Sequence, residues 1–363
     1  MSDVYAEPTT GTFQDGPAAL ARYTTLRLGG PAARLETATS AAEIVQKVQE
    51  AEARDERVLI LSGGSNVVIG DQGFPGTVVL IRSRGFQVIA EDPDTVTVRV
   101  EAGERWDDLV AATIERGWSG LECLSGVPGS AGATPIQNVG AYGQEVAETI
   151  TAVEAYDRTH GEIVRIAAAD CGFAYRGSIF KYSDRWVVLS VDFRLARSPL
   201  STPVRYAELA RALGVEVGDR VPLADARATV LRLRAGKGMV LDADDPDTWS
   251  VGSFFTNPVL EREAYELLRE RAADLGEPPS WPGAGDVVKI SAAWLIDKAG
   301  FGKGHPGPEG VAISSKHTLA LTNRSGTAHT AALIALAREI RDAVHDRFAV
   351  TLHPEPVLIN CTI

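Results

Sequence analysis

The chain has 363 residues, 45% hydrophobic and 23% charged, so it can bury a large core, and collagen-like, disordered and disulfide-scaffold architectures are excluded. It carries 36 Lys and Arg against 48 Asp and Glu, a net charge of −12, which disfavours nucleic acid as main partner. No apolar run reaches the ~18 residues of a membrane span, and the opening MSDVYAEPTTGTFQDG has neither a basic nor an apolar leader region, so a cytoplasmic protein with no membrane partner is expected.

Ser40-Ala41-Ala42-Glu43 is a capping box and predicts a helix to about Arg54, with Ile44, Val45 and Val48 apolar. Arg57–Leu61 reads as a buried strand, stopped by Ser62-Gly63-Gly64-Ser65-Asn66, and Thr77–Arg82 as a second. Asp94–Glu101 alternates, with Val96, Val98 and Val100 on one face. A helix from Arg105 ends at Gly117, a good C′ residue. A loop rich in glycine and proline, almost without charge, then runs from Gly126 to Gly143. Strands are predicted at Thr151–Asp157 and Arg185–Leu195, helices near 222–235, 258–275, from Ser291 and over 328–347, and a last strand near Val357–Asn360. The order reads as an α+β protein of about three domains with boundaries near 83 and 240, the third mostly helical.

Cys123, Cys171 and Cys361 are too far apart for a metal pair or a C-x-x-C motif, and read as small buried hydrophobes. The six histidines have no zinc-ligand spacing, so no metal is expected. The glycine loops are more informative. Ser62–Asn66 follows a strand, and its small residues let backbone N–H groups approach an anion, with Ser65 and Asn66 as further donors. It is neither a G-x-G-x-x-G turn nor a P-loop, and alone it could be a plain turn. The loop 126–143 has few side chains able to fill a core and suits an extended or planar ligand held by backbone N–H groups. Two such loops suggest a dinucleotide bound without a Rossmann turn.

In combination, Gly63-Gly64-Ser65-Asn66, Gly126-x-Pro128-Gly129-Ser130, Pro135-Ile136-Gln137-Asn138-x-Gly140-Ala141-Tyr142-Gly143 and Tyr175-Arg176-x-Ser178-Ile179-Phe180-Lys181 resemble the motifs of the UDP-N-acetylenolpyruvoylglucosamine reductase family. So do Gly252-Ser253-Phe254-Phe255-x-Asn257-Pro258, Trp294–Gly300 and Pro354-Glu355-Pro356-Val357, and the matches run over nearly the whole chain. The resemblance implies a bipartite vanillyl-alcohol-oxidase-type (PCMH-type) FAD-binding fold plus a separate α+β substrate-binding domain. Its parts would be residues 1–82 with 353–363, residues 83–240, and a substrate domain at 241–352. It also implies an NADPH-dependent oxidoreductase of cytoplasmic peptidoglycan precursor synthesis, acting on a UDP-sugar nucleotide. NADPH reduces FAD, and hydride from flavin N5 then adds to the enolpyruvyl ether, giving UDP-N-acetylmuramate.

Charge building on the substrate carboxylate calls for a bidentate, permanently charged partner, and Arg176 is that candidate by motif. Ser253 is the implied proton donor and Glu355, between two prolines, the third catalytic residue. The implied cofactor contacts are Gly63, Gly64, Ser65, Asn66, Pro128, Gly129, Ser130, Gly132, Pro135, Gln137, Asn138, Gly140 and Ala141. Substrate contacts are expected from Tyr175, Tyr206, Arg234, Lys237, Asn257 and Lys303, although Phe301-Gly302-Lys303-Gly304-His305 is one residue longer than the family's pattern. Arg205–Leu209 resembles the tyrosine lid loop of the family's first subtype. With no histidine in 62–143, FAD is expected to be non-covalent, and NADPH and the sugar nucleotide to share one cleft. A monomer is expected. The competing reading is another FAD oxidoreductase of the same fold acting on a different substrate.

Overall fold

The computed structural model describes residues 18–283 and 285–363. The opening segment read for a leader lies outside them. The chain divides into two compact units. One holds the described residues up to Ala32, with Gly64–Phe74 and Leu241–Ile363; the other holds Ala33–Gly63 and Pro75–Val240.

The second unit is built on two sheets. A three-stranded sheet orders Ala32–Ala38, Phe74–Ile81 and Val58–Leu61, the last two parallel. The helix Ala41–Ala53 follows its first strand. Ser40 Oγ accepts the Glu43 N–H at 3.2 Å, as the capping box requires, while the Glu43 carboxylate returns to Thr39 N at 2.7 Å. The larger sheet is antiparallel and runs Glu162–Ala167, Ile150–Asp157, Trp186–Arg197, Thr95–Glu101, Phe86–Glu91. Val96, Val98 and Val100 are fully buried, as their alternation predicts, and Val98 faces Phe193 in register. In Trp186–Arg197 one face, Val187, Leu189, Val191, Phe193 and Leu195, is buried, but Val188, Ser190 and Asp192 on the other face are buried too. One core joins Ile44, Val48, Val79 and Ile81 to Val96, Val98 and Leu109, so the expected boundary near 83 lies within a shared core.

In the first unit, Val67–Ile69 pairs in parallel with Val357–Ile359, at the expected last strand. The helix Thr330–Phe348 packs its buried face, including Leu333, Leu336, Ile340 and Val344, into a core with Phe254, Phe255 and Ile290. Three readings are corrected. Arg57–Leu61 is not fully buried: in the strand Val58–Leu61 only Leu61 is. The helix expected at 258–275 is a strand, Val259–Glu261, followed by a helix Arg262–Arg271, because 259–261 pair with Val287–Lys289 in a sheet that local periodicity cannot foresee. The third part is therefore not mostly helical, since Ser280–Pro282 completes a three-stranded sheet there.

Candidate active site

The two glycine loops meet inside the second unit. A Cβ placed on Gly63 would lie 2.8 Å from Gly129 Cα, so the approach requires glycine. Ser130 Oγ is buried in this loop and has no hydrogen-bond partner among the described residues. An orphaned hydroxyl beside closely packed backbone fits a loop that receives a polar ligand such as a nucleotide cofactor. Pro135, Gly132 and Gly129 are buried, and Pro128, Gln137, Gly140 and Ala141 are half-buried.

The same loop builds the mount for Arg176. Arg176 has a left-handed φ of +53°, a conformation that costs free energy unless its surroundings impose it. Here they do. Its carbonyl accepts Lys181 Nζ at 3.2 Å, and its Nη2 donates to Gly140 O at 3.0 Å. A Cβ on Gly140 would come 3.2 Å from Arg176 Nη1. Ser178 Oγ donates to Ile136 O at 2.7 Å. Asn138 is 2% exposed and its amide is committed within the protein: it donates to Glu145 Oε2 at 2.8 Å and Ala174 O at 3.2 Å, and accepts Ala147 N–H at 3.1 Å. Its side chain ties the loop to the turn that carries Arg176. Tyr175 is exposed, with the Arg176 guanidinium 5.3 Å from its ring.

The substrate-contact candidates of this unit also converge. Tyr206 is exposed and stands edge-on to Tyr142, ring centroids 5.6 Å apart. Lys237 pairs with Glu208 at 2.6 Å and lies 5.6 Å from the Tyr142 ring. Burial, the largest single influence, lowers the Lys237 pKa, but the bond to Glu208 and the nearby Glu208, Tyr142 and Tyr206 groups together outweigh it and hold the ammonium above its ordinary value. The Arg234 guanidinium is partly closed off from solvent. Its Nε is buried without a partner among the described residues, Nη2 donates to Met239 O at 2.8 Å, and burial pushes its pKa down to about 10.

Sequence reading missed the supports beneath these groups. Asp107 grips Arg227 through two bonds of 2.7 and 2.8 Å and accepts Gly126 N–H at 2.6 Å, joining the glycine loop to the helix Leu223–Gly236. Burial pushes its carboxyl up, but these partners outweigh it and the net shift is downward. Glu122, fully buried, accepts from Gly120 N, Gln144 Nε2 and both donors of Thr202, which leads into the Tyr206 loop. No sequence signal marks an isolated Glu or Asp whose partners lie far along the chain.

Ser253 and Glu355 belong to the first unit, with Gly64, Ser65 and Asn66. Glu355 N–H donates to Phe254 O at 2.8 Å, Phe255 and Pro354 form an antiparallel bridge, and Thr256 N–H donates to His353 O at 3.0 Å. This short ladder brings the Ser253 segment alongside Glu355, and both side chains are half-buried. Val357 N–H donates to Asn66 O at 3.0 Å, anchoring the same segment on the end of the first glycine loop. Asn257 Oδ1 accepts Ala292 N–H at 3.0 Å at the start of the helix Ala292–Lys298. Lys303 is exposed beyond that helix.

Two known domain families match the chain: FAD binding domain over residues 32–167, and UDP-N-acetylenolpyruvoylglucosamine reductase, C-terminal domain, over 244–359. The UDP-N-acetylenolpyruvoylglucosamine reductase of Salinispora arenicola is 74% identical over 100% of both chains. The chain belongs to the UDP-N-acetylenolpyruvoylglucosamine reductase family. The enzyme of that name from Streptomyces coelicolor is 58% identical over 97% of this chain and 91% of its own. The crystal structure of the Thermus caldophilus UDP-N-acetylenolpyruvylglucosamine reductase has a similar fold, with TM-score 0.64 and 24% identity over 94% of this chain and 97% of that one. This family member is an FAD-dependent oxidoreductase with an α+β fold, an FAD-binding domain and a separate C-terminal domain.

Among the described residues no cluster of metal-binding side chains occurs, and no helix is long and apolar enough to cross a membrane. All three cysteines are free thiols. Burial pushes the Cys123 thiol up to about 12 and those of Cys171 and Cys361 to about 11, so they stay protonated at neutral pH.

Proposed function

We propose that this protein reduces the enolpyruvyl ether of UDP-N-acetylglucosamine to UDP-N-acetylmuramate, with NADPH as reductant, as a cytoplasmic monomer in peptidoglycan precursor synthesis. The observation that carries this reading is the pairing of the Ser253 segment with Glu355 in one unit, within a chain whose other unit buttresses Arg176 so heavily. FAD, when bound, would supply the hydride. Arg176 grips the substrate carboxylate and stabilises the charge that develops there. Ser253 delivers a proton to the α-carbon, and Glu355 acts at the carboxylate end, polarising or protonating it. Tyr175, Tyr206, Arg234, Lys237, Asn257 and Lys303 hold the sugar nucleotide, with Tyr206 on a lid. FAD is held non-covalently by the loops at 63–66 and 128–141. The functional parts are residues 1–82 with 353–363 and 83–240 for the cofactor, and 241–352 for the substrate.

The test is anaerobic mixing with NADPH, followed by the enolpyruvyl sugar nucleotide, while flavin absorbance is recorded. Bleaching and then stoichiometric return are expected. Return with molecular oxygen but not with the sugar nucleotide would favour an oxidase of the same fold.

A further inference from the structure

Thr25, only 8% exposed, lies in the first unit between two segments that the proposed chemistry uses. Its N–H donates to Gly64 O at 3.1 Å, in the first glycine loop. Its hydroxyl donates to Ser250 O at 2.6 Å, just ahead of Ser253. Downstream, the Ser253 segment is pinned by Phe254 N–H donating to Leu319 O at 2.8 Å. Upstream, the chain passes through Gly252 at φ +74°, with no described atom within 4 Å of where a Cβ would stand. Gly252 N–H bonds to Ser250 Oγ at 3.2 Å, a local tie that moves with the loop. The loop therefore needs a grip from another segment. The residues following Thr25 add a second one: the Arg27 guanidinium lies 3.8 Å over the Trp249 ring, and Asn323 joins the two by donating its side chain to Arg27 O at 3.3 Å and its N–H to Trp249 O at 3.1 Å.

We propose that Thr25 is a positioning residue for proton delivery: its hydroxyl, bonded to the Ser250 carbonyl, holds the Ser253 loop in register with the first glycine loop. This inference rests on the reading of Ser253 as proton donor.

Thr25→Val keeps the shape and the N–H bond to Gly64 but removes the hydroxyl. In the FAD-loaded protein, bleaching by NADPH should be unchanged, while return of absorbance with the enolpyruvyl sugar nucleotide slows about tenfold, as for loss of one well-made hydrogen bond. Thr25→Ser should restore the rate. In a Ser253→Ala background Thr25→Val should slow nothing further, because the residue acts through Ser253. Amide hydrogen exchange over 250–254 should quicken in Thr25→Val and not in Thr25→Ser. A normal return phase in Thr25→Val, slowing that persists without Ser253, or unchanged exchange each overturns the proposal. If Ser253→Ala alone leaves the return phase normal, the donor reading itself has failed. If Ser253→Ala is slow and Thr25→Val normal, only the brace is wrong. Should Thr25→Val lose its flavin, Thr25→Cys, a weaker donor, should fall between Thr25→Val's expected rate and wild type; wild-type behaviour there sinks the idea.

Discussion

Arg176 and Ser253 are held in opposite ways. Arg176 sits in a turn forced into a left-handed conformation, and its neighbours Ala174, Ser178 and Lys181 are each tied by side-chain bonds, two of them to the glycine loop. Ser253 follows a glycine with no described atom within 4 Å of a Cβ position, and its half-buried segment is aligned by a backbone bond at Phe254 downstream and by the Thr25 hydroxyl on Ser250 O upstream. A group that must bind a fixed charge benefits from rigidity. A group that must hand over a proton needs a hydroxyl that its anchoring does not use, and these bonds are made by the neighbouring residues.

Removing each group should separate the two roles. Ser253→Ala should bind FAD and bleach normally with NADPH, yet return of absorbance with the sugar nucleotide should slow by at least ~10²-fold, the lower end for general acid catalysis. Ser253→Cys should recover part of this, a thiol being the stronger acid. Stopped-flow on each phase is the check, and equal slowing of both would mean that Ser253 serves the fold. Arg176→Lys should come next, roughly ten- to a hundredfold in the same phase, because an ammonium cannot reproduce a two-pronged grip.

Gly63→Ala tests the glycine loops instead. Its Cβ would press on Gly129, an overpacking of ~1–3 kcal/mol, so flavin affinity by titration should weaken about tenfold or more. Affinity within a factor of two would show that the two loops can separate at no cost. Tyr206→Phe keeps the edge contact with Tyr142 and loses only the hydroxyl, so KM for the sugar nucleotide should rise a few-fold, more than kcat falls. An unchanged KM removes Tyr206 from the site. The smallest effect concerns acid. The Asp107 carboxyl titrates below its ordinary value in the folded state, so its stabilisation is fully present above its unfolded value of ~3.9 and is lost as pH falls through its lower folded value. Flavin release should begin at a higher pH in Asp107→Asn than in the native protein, as read by fluorescence.

Local chemistry was enough to read the capped helix Ala41–Ala53, the alternating strand Thr95–Glu101 and the long helix Thr330–Phe348, because their signals are carried by near neighbours along the chain. The glycine loops were legible for the same reason: a run of small residues without charge announces a close backbone approach whatever surrounds it. The motif order identified the family before any coordinate. The tertiary structure alone decided that Asn138 and Asn257 have side-chain atoms committed to protein amides and carbonyls, and that Arg234 is partly closed off from solvent. It also decided that 259–261 form a strand, and that Glu122, Asp107 and Thr25 bond to segments far along the chain. Each depends on a partner distant in sequence. A hydroxyl, an amide or a carboxylate looks the same in a sequence whether it faces water, a ligand or another segment's carbonyl, and only the folded chain supplies the neighbour that distinguishes them.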